Sequence, residues 1–290
     1  VREDVIFYLI LLPFLLAFFI FNMLPVLASM VLSFFDYDMV SSPLFIGFGN
    51  YIRMFTADRT FFKVVGTTLK FALIVGPGGY LLAFLLAWMI NEFPRAIRVL
   101  LTFVFYVPSL VGNALYIWQV MFSGDSYAYV NNILLSFGFI TEPIQWFQNT
   151  SYHFFVIVLV QLWMSMGISF LANISGLQNV NTELYEAGAI DGIRNRWQEL
   201  WYITLPNMKP MLLFGAVLAI TGAFGFGGII DALCGRPSVD YCAWTLVHHL
   251  GEYMGTRFEF GYASAISVTL FFIMFGSNIL VQKLLAKVGQ

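Results

Sequence analysis

Charged side chains are scarce in this sequence, and their scarcity limits what the protein can be. Among 290 residues, Asp, Glu, Lys and Arg make up 10%, whereas hydrophobic side chains make up 60% and the mean hydropathy is +0.81. Soluble domains carry about 25% charged residues, so this chain cannot cover a water-exposed surface and is predicted to be an integral membrane protein. A net charge of −2 offers no basic face for nucleic acid. Two cysteines are too few for a disulfide scaffold or a four-thiolate metal site.

Six long stretches of the chain contain no charged residue. A bilayer core about 30 Å thick requires roughly 20 apolar residues of helix, and each stretch reaches that length. We expect the first stretch to be a retained helix, because it exceeds the roughly 7–15 apolar residues of a signal peptide. The sequence therefore predicts an all-α protein in which a single membrane domain, residues 1–290, contains six transmembrane helices at about 5–35, 66–91, 98–122, 152–177, 210–230 and 260–284.

The distribution of Lys and Arg predicts the orientation of these helices. With the N-terminus inside, the cytoplasmic segments hold eight of the 14 basic residues, and the outer loop Gly124–Ser151 holds none. Basic residues are enriched in short cytoplasmic loops. We therefore predict a multi-pass protein of the cell membrane, plasma or inner, that is surrounded by lipid and has both termini in the cytoplasm.

No Asp, Glu, Lys or Arg lies clearly inside a predicted span, since the few within the stated bounds are near the span ends. Ionisable groups inside a membrane mark proton relays, ion pathways and voltage sensors, so the sequence argues against a proton- or cation-coupled pump and a charge-lined channel. The chain also lacks the GxxxxGK[ST] loop that holds nucleotide phosphates. We predict no catalytic residue, metal or cofactor on this chain, and any uphill movement would draw its energy from a partner.

Neutral polar and aromatic side chains do occur within the spans. Amides, hydroxyls and aromatic faces suit an uncharged polar solute such as a sugar, whereas the alternative is that these groups only join neighbouring helices. The glycine-rich stretch Gly222–Gly228 also permits a broken helix that lines a cavity. The candidate pathway residues are Asn113, Gln119, Gln161, Trp163, Ser165, Ser169, Thr221 and Phe224.

Charges gather in one segment, residues 181–210, between the fourth and fifth spans on the predicted cytoplasmic side. Asn181 or Thr182 can cap a short helix, and Gly192 can end it. A second amphipathic helix is predicted from about Asn195 to Ile203, with prolines closing the segment before the fifth span. The alternative is an amphipathic loop that rests on lipid headgroups.

The last outer loop contains both cysteines and two adjacent histidines. Oxidising conditions outside the cell permit a disulfide between Cys234 and Cys242, and two unpaired thiols are an equally good interpretation. His248 and His249 are expected at the surface rather than in a metal site.

The charged segment resembles a motif of a known family. The string EAGAIDG…WQELWYITLP is similar to the EAA motif of ABC importer permeases, and the matching residues are Glu186, Ala187, Gly188, Asp191, Gly192, Ile203, Leu205 and Pro206. The resemblance implies a cytoplasmic coupling helix that docks into an ATPase subunit, with Glu186 as the acidic contact and Gly192 as the turn. Two features depart from the motif: Gly188 replaces an alanine, and ten residues rather than nine separate Gly192 from Ile203, because Ile193–Arg196 is one residue longer than usual.

Further stretches extend the resemblance over most of the chain, among them FIGFGNYIRMF at Phe45–Phe55 and FEFGYASAISVTLFFIMF near the end. They are most similar to the MalF-like member of the heterodimeric carbohydrate permeases. The resemblance implies a type I ABC importer permease fold with a second, homologous permease, an extracellular solute-binding protein and two ATPase subunits that carry ATP and Mg. The chain itself would then not be an enzyme, and its substrate would be a carbohydrate, an oligosaccharide. Alternatives are a permease of the same fold for glycerol phosphate, polyamine or another small solute, and a non-transporting membrane scaffold.

Overall fold

A computed structural model describes residues 2–111 and 114–285 of the chain, with side chains from residue 8 onward. Helices dominate the described residues. Their bounds are α1 (Arg2–Phe18), α2 (Leu24–Leu32), α3 (Gly49–Thr56), α4 (Phe61–Asn91), α5 (Arg95–Leu110), α6 (Leu115–Met121), α7 (Tyr129–Ser136), α8 (Thr150–Met164), α9 (Ile168–Gln178), α10 (Thr182–Ile190), α11 (Arg196–Glu199), α12 (Leu205–Gly225), α13 (Gly227–Cys234), α14 (Leu246–Gly255) and α15 (Phe260–Leu285).

The chain has up to six spans when each bent helix pair is counted as one. Four continuous helices are long and apolar enough to cross a membrane, at Tyr8–Leu32, Phe61–Asn91, Arg196–Gly225 and Phe260–Leu285. Two further spans are broken: α5 and α6 meet at 88°, and α8 and α9 meet at 44° around Ser165–Gly167. The predicted number of spans is confirmed, whereas the two breaks were not expected.

Two of the continuous helices contain a single π turn, at Phe19–Met23 and at Leu200–Thr204. Each π turn ends immediately before a Leu-Pro pair, Leu24-Pro25 in one case and Leu205-Pro206 in the other. A proline lacks the N–H of an α-helical bond, and its ring collides with the carbonyl four residues earlier. Widening the preceding turn relieves that collision, so the helix continues through the proline.

This continuity corrects the predicted boundary of the fifth span. Pro206 and Pro210 were expected to close the charged segment before a span at 210–230. Instead Pro206 lies in the first turn of α12, Pro210 lies inside that helix, and the helix ends at Gly225. Phe226 then separates α12 from α13, so the glycine-rich stretch does contain a helix break.

The chain folds as two compact units, each with its own internal packing. The first, unit 1, comprises Val1–Val65 and Leu246–Ile273. Its first helices are exposed along Tyr8–Leu32. A small antiparallel pair, Phe35–Asp36 with Leu44–Phe45, follows them. The amide of Asn50 on α3 donates 2.9 Å hydrogen bonds to the carbonyls of Ser33 and Phe35, which ties this pair to α3.

The centre of unit 1 is a buried polar cluster that involves one of the predicted surface histidines. His249 Nε2 lies 2.7 Å from Asp58 Oδ2, and the Tyr262 hydroxyl donates to the same oxygen at 2.8 Å. His248 is buried as well. The prediction that both histidines lie at the surface is therefore wrong, because α14 turns them into the unit and Asp58 supplies a partner.

The second unit, unit 2, comprises Gly66–Thr245 and Met274–Gln290. It has two apolar clusters. One joins the C-terminal part of α4 to α9, the second π turn and the start of α12, and includes Phe84, Phe170 and Met208. The other joins α6, α8 and α13 around Val156 and Ile230. These clusters hold the charged segment and the polar span residues in place.

Glycine permits the close approach of α4 and α8 in unit 2. A Cβ atom at Gly79 would lie 2.9 Å from the Cβ of Ser165, which is too close for two carbon atoms. The GPGG sequence of α4 therefore allows this helix to pack near the break between α8 and α9.

Candidate functional site

The charged segment begins with the predicted capped helix. The side chain of Asn181 accepts a 3.1 Å hydrogen bond from the backbone N–H of Glu183, and Glu183 lies in the first turn of α10. Both features stabilise the positive end of the helix dipole. Gly192 has φ of +96°, a conformation that glycine adopts at little cost, so the turn after α10 falls at the predicted residue.

The two faces of α10 differ sharply. Gly188 is buried and faces Ile203 and Ile193. Glu186, Ala187 and Ile190 are exposed, with Ile190 at 87%. Ile190 lies one turn from the Glu186 carboxylate on this exposed face. Asp191, which follows the helix, is exposed too.

The glycine that departs from the motif has a local explanation. An alanine Cβ at position 188 would lie 2.6 Å from Cδ1 of Ile203 and 3.1 Å from Cδ1 of Ile193. Glycine therefore lets these two isoleucines cover the backbone of α10. The collision involves only the ends of flexible side chains, so alanine would require a small rearrangement of the isoleucines.

The second part of the segment is also capped as predicted. The side chain of Asn195 accepts a 2.8 Å hydrogen bond from the N–H of Gln198, whose own side chain accepts from the N–H of Arg194 at 2.9 Å. This reciprocal arrangement resembles a capping box. The stretch that is one residue longer than in the motif, Ile193–Arg196, comprises the turn before α11 and the first residue of that helix.

Hydrogen bonds and core packing join the two parts of the segment. The Tyr185 hydroxyl of α10 lies 2.9 Å from the Thr204 hydroxyl in the π turn. Ile203 and Leu200 are buried in the first apolar cluster, against which Tyr185 and Ile193 pack. Leu205 and Pro206, the last two predicted coupling residues, are half-buried at the start of α12. The predicted coupling residues thus lie on one packed structure that ends in a long helix.

A polar cleft of about 500 Å³ opens beside this structure. Arg196 bridges two carboxylates at its edge: Nη2 lies 2.7 Å from Glu92 and Nη1 lies 2.7 Å from Glu199. The other lining residues are Trp88, Asn91, Arg98, Leu177, Gln178, Val180, Thr182, Tyr185 and Thr204.

The candidate pathway residues lie in several different environments. Asn113 lies outside the described residues. The amide of Gln119 donates to the carbonyl of Ala232. Thr221 is exposed and bonds the carbonyl of Val217 on its own helix at 2.9 Å, while Phe224 is buried. Thus these members of the set differ in burial and in hydrogen-bond partners.

Several polar and aromatic side chains of this set lie near each other on the broken spans. The rings of Trp163 and Trp118 meet edge to face at 5.3 Å. Gln161 is buried, and its Oε1, like Nε1 of Trp118, has no hydrogen-bond partner among the described residues. Buried polar atoms are almost always paired, so unpaired ones on spans mark places where a solute, water or a second arrangement of the helices would satisfy them.

Two serines and an asparagine continue this group along the fourth span. Ser165 donates to the carbonyl of Leu162 at 2.6 Å, at the break between α8 and α9. Ser169, the second residue of α9, is buried. Asn173, one turn further, is completely buried and has neither amide atom paired within the described residues. In the sequence, a polar side chain in the middle of a predicted span was the only indication that Asn173 belongs to this group.

Within the described part of the chain, Cys234 and Cys242 are not joined by a disulfide. Cys242 Sγ lies 3.1 Å from Nδ1 of the buried His153. Burial raises the pKa of the Cys234 thiol to about 12, which makes it a poor nucleophile. A disulfide between the two under oxidising conditions stays a prediction. Among the described residues, no group of three or more His, Cys, Asp or Glu side chains could hold a metal ion.

Known proteins resemble this chain in sequence and in fold. The permease protein AraP of the Bacillus subtilis arabinooligosaccharides transport system is 29% identical over 283 residues, covering 96% of this chain and 87% of AraP. The permease protein MalF of the Thermococcus litoralis trehalose/maltose transport system is 28% identical, covering 97% and 94%. A solved structure of a bacterial ABC transporter that imports the acidic polysaccharide alginate superimposes with a TM-score of 0.80 at 20% identity, covering 100% of this chain and 98% of the matched chain.

The structural match confirms the predicted type I ABC importer permease fold. Residues 79–290 match the family described as "Binding-protein-dependent transport system inner membrane component". This range contains the whole charged segment, the last four of the six spans and the C-terminal part of the second. The chain therefore belongs to the family of binding-protein-dependent transport system inner membrane components, and it is a multi-pass membrane permease.

Proposed function

We propose that this chain is one permease subunit of an ATP-driven importer of a carbohydrate, an oligosaccharide. The observation that carries the proposal is the exposed face of α10, where Glu186, Ala187 and Ile190 project from a helix held by Asn181 at one end and Gly192 at the other. Its motif is the one by which importer permeases dock on an ATPase. Similar permeases belong to transport systems for arabinooligosaccharides and for trehalose or maltose, which supports a carbohydrate substrate.

The proposal assigns ATP hydrolysis to other chains. Two cytoplasmic ATPase subunits would bind ATP and Mg, and a second, homologous permease would complete the translocation pathway. An extracellular solute-binding protein would deliver the sugar. Both termini would then lie in the cytoplasm, on the side of α10. The lack of a phosphate-binding loop in this sequence supports that division of labour.

The mechanism follows from the way α10 is attached to the rest of unit 2. Closure of the ATPase dimer displaces α10, and the buried Gly188–Ile203 contact and the Tyr185–Thr204 hydrogen bond pass that displacement to α12. Rearrangement of the broken spans then exposes unpaired groups such as those of Gln161 and Asn173. The pathway alternates between outward-open and inward-open states that ATP and sugar favour to different extents.

Reconstitution of the complete transporter in proteoliposomes tests the coupling role. Exchange of Glu186→Lys should lower ATP-driven sugar uptake by about tenfold or more, because a coupling free energy of this size is lost when the docking charge is inverted. Glu142→Lys is the matched control: it inverts another exposed carboxylate, outside the charged segment, and should leave uptake unchanged. Full uptake by the Glu186→Lys transporter would refute the role of α10.

A solute panel tests the substrate class separately. The wild-type complex should show ATPase stimulation with a neutral oligosaccharide and its binding protein, and none with glycerol phosphate or a polyamine. Stimulation by either of the latter would replace the carbohydrate assignment and keep the coupling role. Failure to move any solute in a complex that contains the ATPase would favour a scaffold.

A further inference from the structure

We propose that Arg196 and Glu92 are positioning residues that attach the charged segment to the C-terminal end of α4, so that a displacement of α10 reaches α4 as well as α12. The inference deepens the proposed coupling function and rests on it. α4 is a complete span of 31 residues, and in the motif alone nothing indicates that the segment is tied to it.

The ion pair uses the geometry of the guanidinium group. Arg196 directs Nη2 to Glu92, just after the end of α4, and Nη1 to Glu199, one turn along its own helix, each at 2.7 Å. A guanidinium presents a rigid fork of donors. Glu199 therefore orients the arginine, and the other branch of the fork points at Glu92. A lysine could not bond both carboxylates in this way.

A ring contact beside the ion pair shows that the attachment is a surface rather than a single bond. Trp197, the next residue, packs on Trp88 with ring centroids 5.2 Å apart. Trp88 lies in the last turn of α4, and Glu92 directly follows the helix. Two consecutive residues of α11 thus contact the end of α4 and the residue after it.

The Arg196–Glu92 ion pair is exposed to solvent, unlike the buried apolar cluster that stabilises the fold. The side chains of Arg196 and Glu92 are 61% and 41% exposed, and exposed ion pairs contribute little to stability. The attachment that stabilises unit 2 is instead the apolar cluster around Phe84, Ile203 and Met208. Beside the cleft, the ion pair can open and close again without disturbing that cluster, as expected of a contact that guides movement.

The longer stretch that distinguishes this segment from the motif reaches the Arg196–Glu92 ion pair. The stretch that is one residue longer than usual, Ile193–Arg196, ends with the arginine that bonds Glu92. Asn195 caps α11 immediately before it, so the position of Arg196 is defined by the cap. The longer turn therefore brings a cationic residue to the end of α4.

Charge exchange in the reconstituted transporter tests the inference. Arg196→Glu and Glu92→Arg should each lower the sugar imported per ATP hydrolysed by about fivefold, which is within the range of known coupling effects. Their thermal unfolding temperatures should match that of the wild type. The double exchange restores opposite charges and should recover at least half of the ratio. Arg95→Glu, a matched exchange of an exposed arginine outside the charged segment that leaves the ion pair intact, should have no effect.

Two results would overturn the inference. One is an unchanged transport ratio in both single variants, and the other is a double exchange that is as defective as the single ones. If the wild-type complex still imports sugar, either of these variant results would leave the proposed function intact. Absence of import by the wild-type complex would instead overturn the proposed function.

Discussion

Two side-chain pairs in this chain, each with a carboxylate as one partner, occupy opposite environments. In unit 1, the side chains of Asp58 and His249 are only 5% and 4% exposed, whereas in unit 2 those of Glu92 and Arg196 face the solvent beside a cleft. Each pair joins residues that are distant in sequence. The comparison separates two uses of charge: a buried pair cannot open without a large desolvation cost, whereas an exposed pair opens cheaply and suits a moving contact.

The buried pair belongs to an extensive hydrogen-bond network. Besides His249 and Tyr262, Asp58 accepts hydrogen bonds from the backbone and hydroxyl of Thr60 and from the N–H of Phe61, all between 2.8 and 3.1 Å. Burial alone would raise the pKa of Asp58, but the bonds from Thr60, Tyr262 and His249 outweigh it and lower the pKa to about 2. The carboxylate therefore remains ionised and fixes the start of α4 to α14 and α15.

The strongest way to disturb the buried region is to enlarge Gly261, the neighbour of Tyr262. A Cβ atom at this position would overlap the backbone oxygen of Phe35, which cannot rotate away. Gly261→Ala should lower the free energy of unfolding by about 3 kcal/mol. Thermal unfolding of the purified complex, followed by tryptophan fluorescence, would measure it.

Gly276 on the same helix provides the control, because a Cβ atom there meets nothing within 4 Å. Gly276→Ala should be neutral or slightly stabilising, since alanine favours helix more than glycine does. Equal effects of the two substitutions would contradict the predicted contact with Phe35.

Removal of the buried charge should have the next largest effect. Asp58→Asn should cost about 2 kcal/mol above pH 5, because the folded pKa of about 2 lies well below the unfolded value of about 3.9. A lowered folded pKa means stabilisation that is complete above the unfolded pKa and is lost as the pH falls through the folded one. The stability difference between wild type and variant should therefore narrow between about pH 4 and pH 2.

Asp38 allows a matched comparison within unit 1. It is exposed, and its carboxylate accepts hydrogen bonds from the N–H of Val40 and from the N–H and hydroxyl of Ser41, in its own turn. Asp38→Asn should change the unfolding temperature much less than Asp58→Asn does. A similar loss for both would mean that burial and the partners on α14 and α15 add nothing.

The exposed pair should show the smallest effect on stability. Arg196→Ala should change the free energy of unfolding by less than about 1 kcal/mol, as measured for other exposed pairs. Thermal unfolding of the same complex provides the measurement. A loss as large as that of Asp58→Asn would show that Arg196 stabilises the fold, and it would remove the distinction between the two pairs.

Local features of this fold could be predicted from the sequence. Charge-free stretches revealed the six spans, and the caps at Asn181 and Asn195 and the turn at Gly192 follow from short-range chemistry. The exposed face of α10 was foreseen by its motif. In these places the partner groups lie within a few residues of each other along the chain.

Features that depend on distant partners were not predictable. His249 looked like a surface residue because its partner Asp58 is 191 residues away in the sequence. The breaks between α5 and α6 and between α8 and α9 have no proline or glycine signal strong enough to distinguish them from continuous spans. Pro206 was expected to close the charged segment before the fifth span, but the π turn before it lets one helix continue through it.

That continuity has a mechanical consequence. From Arg196 to Gly225 the chain forms one rod of 30 residues, which is about 45 Å long at about 1.5 Å per residue. A tilt of about 10° at one end of such a rod sweeps the other end through about 8 Å. The far end meets Phe226, where α13 begins among buried side chains. If this helix tilted as one body, leverage alone would turn a small rotation at the charged segment into a displacement at its far end about as large as a sugar ring.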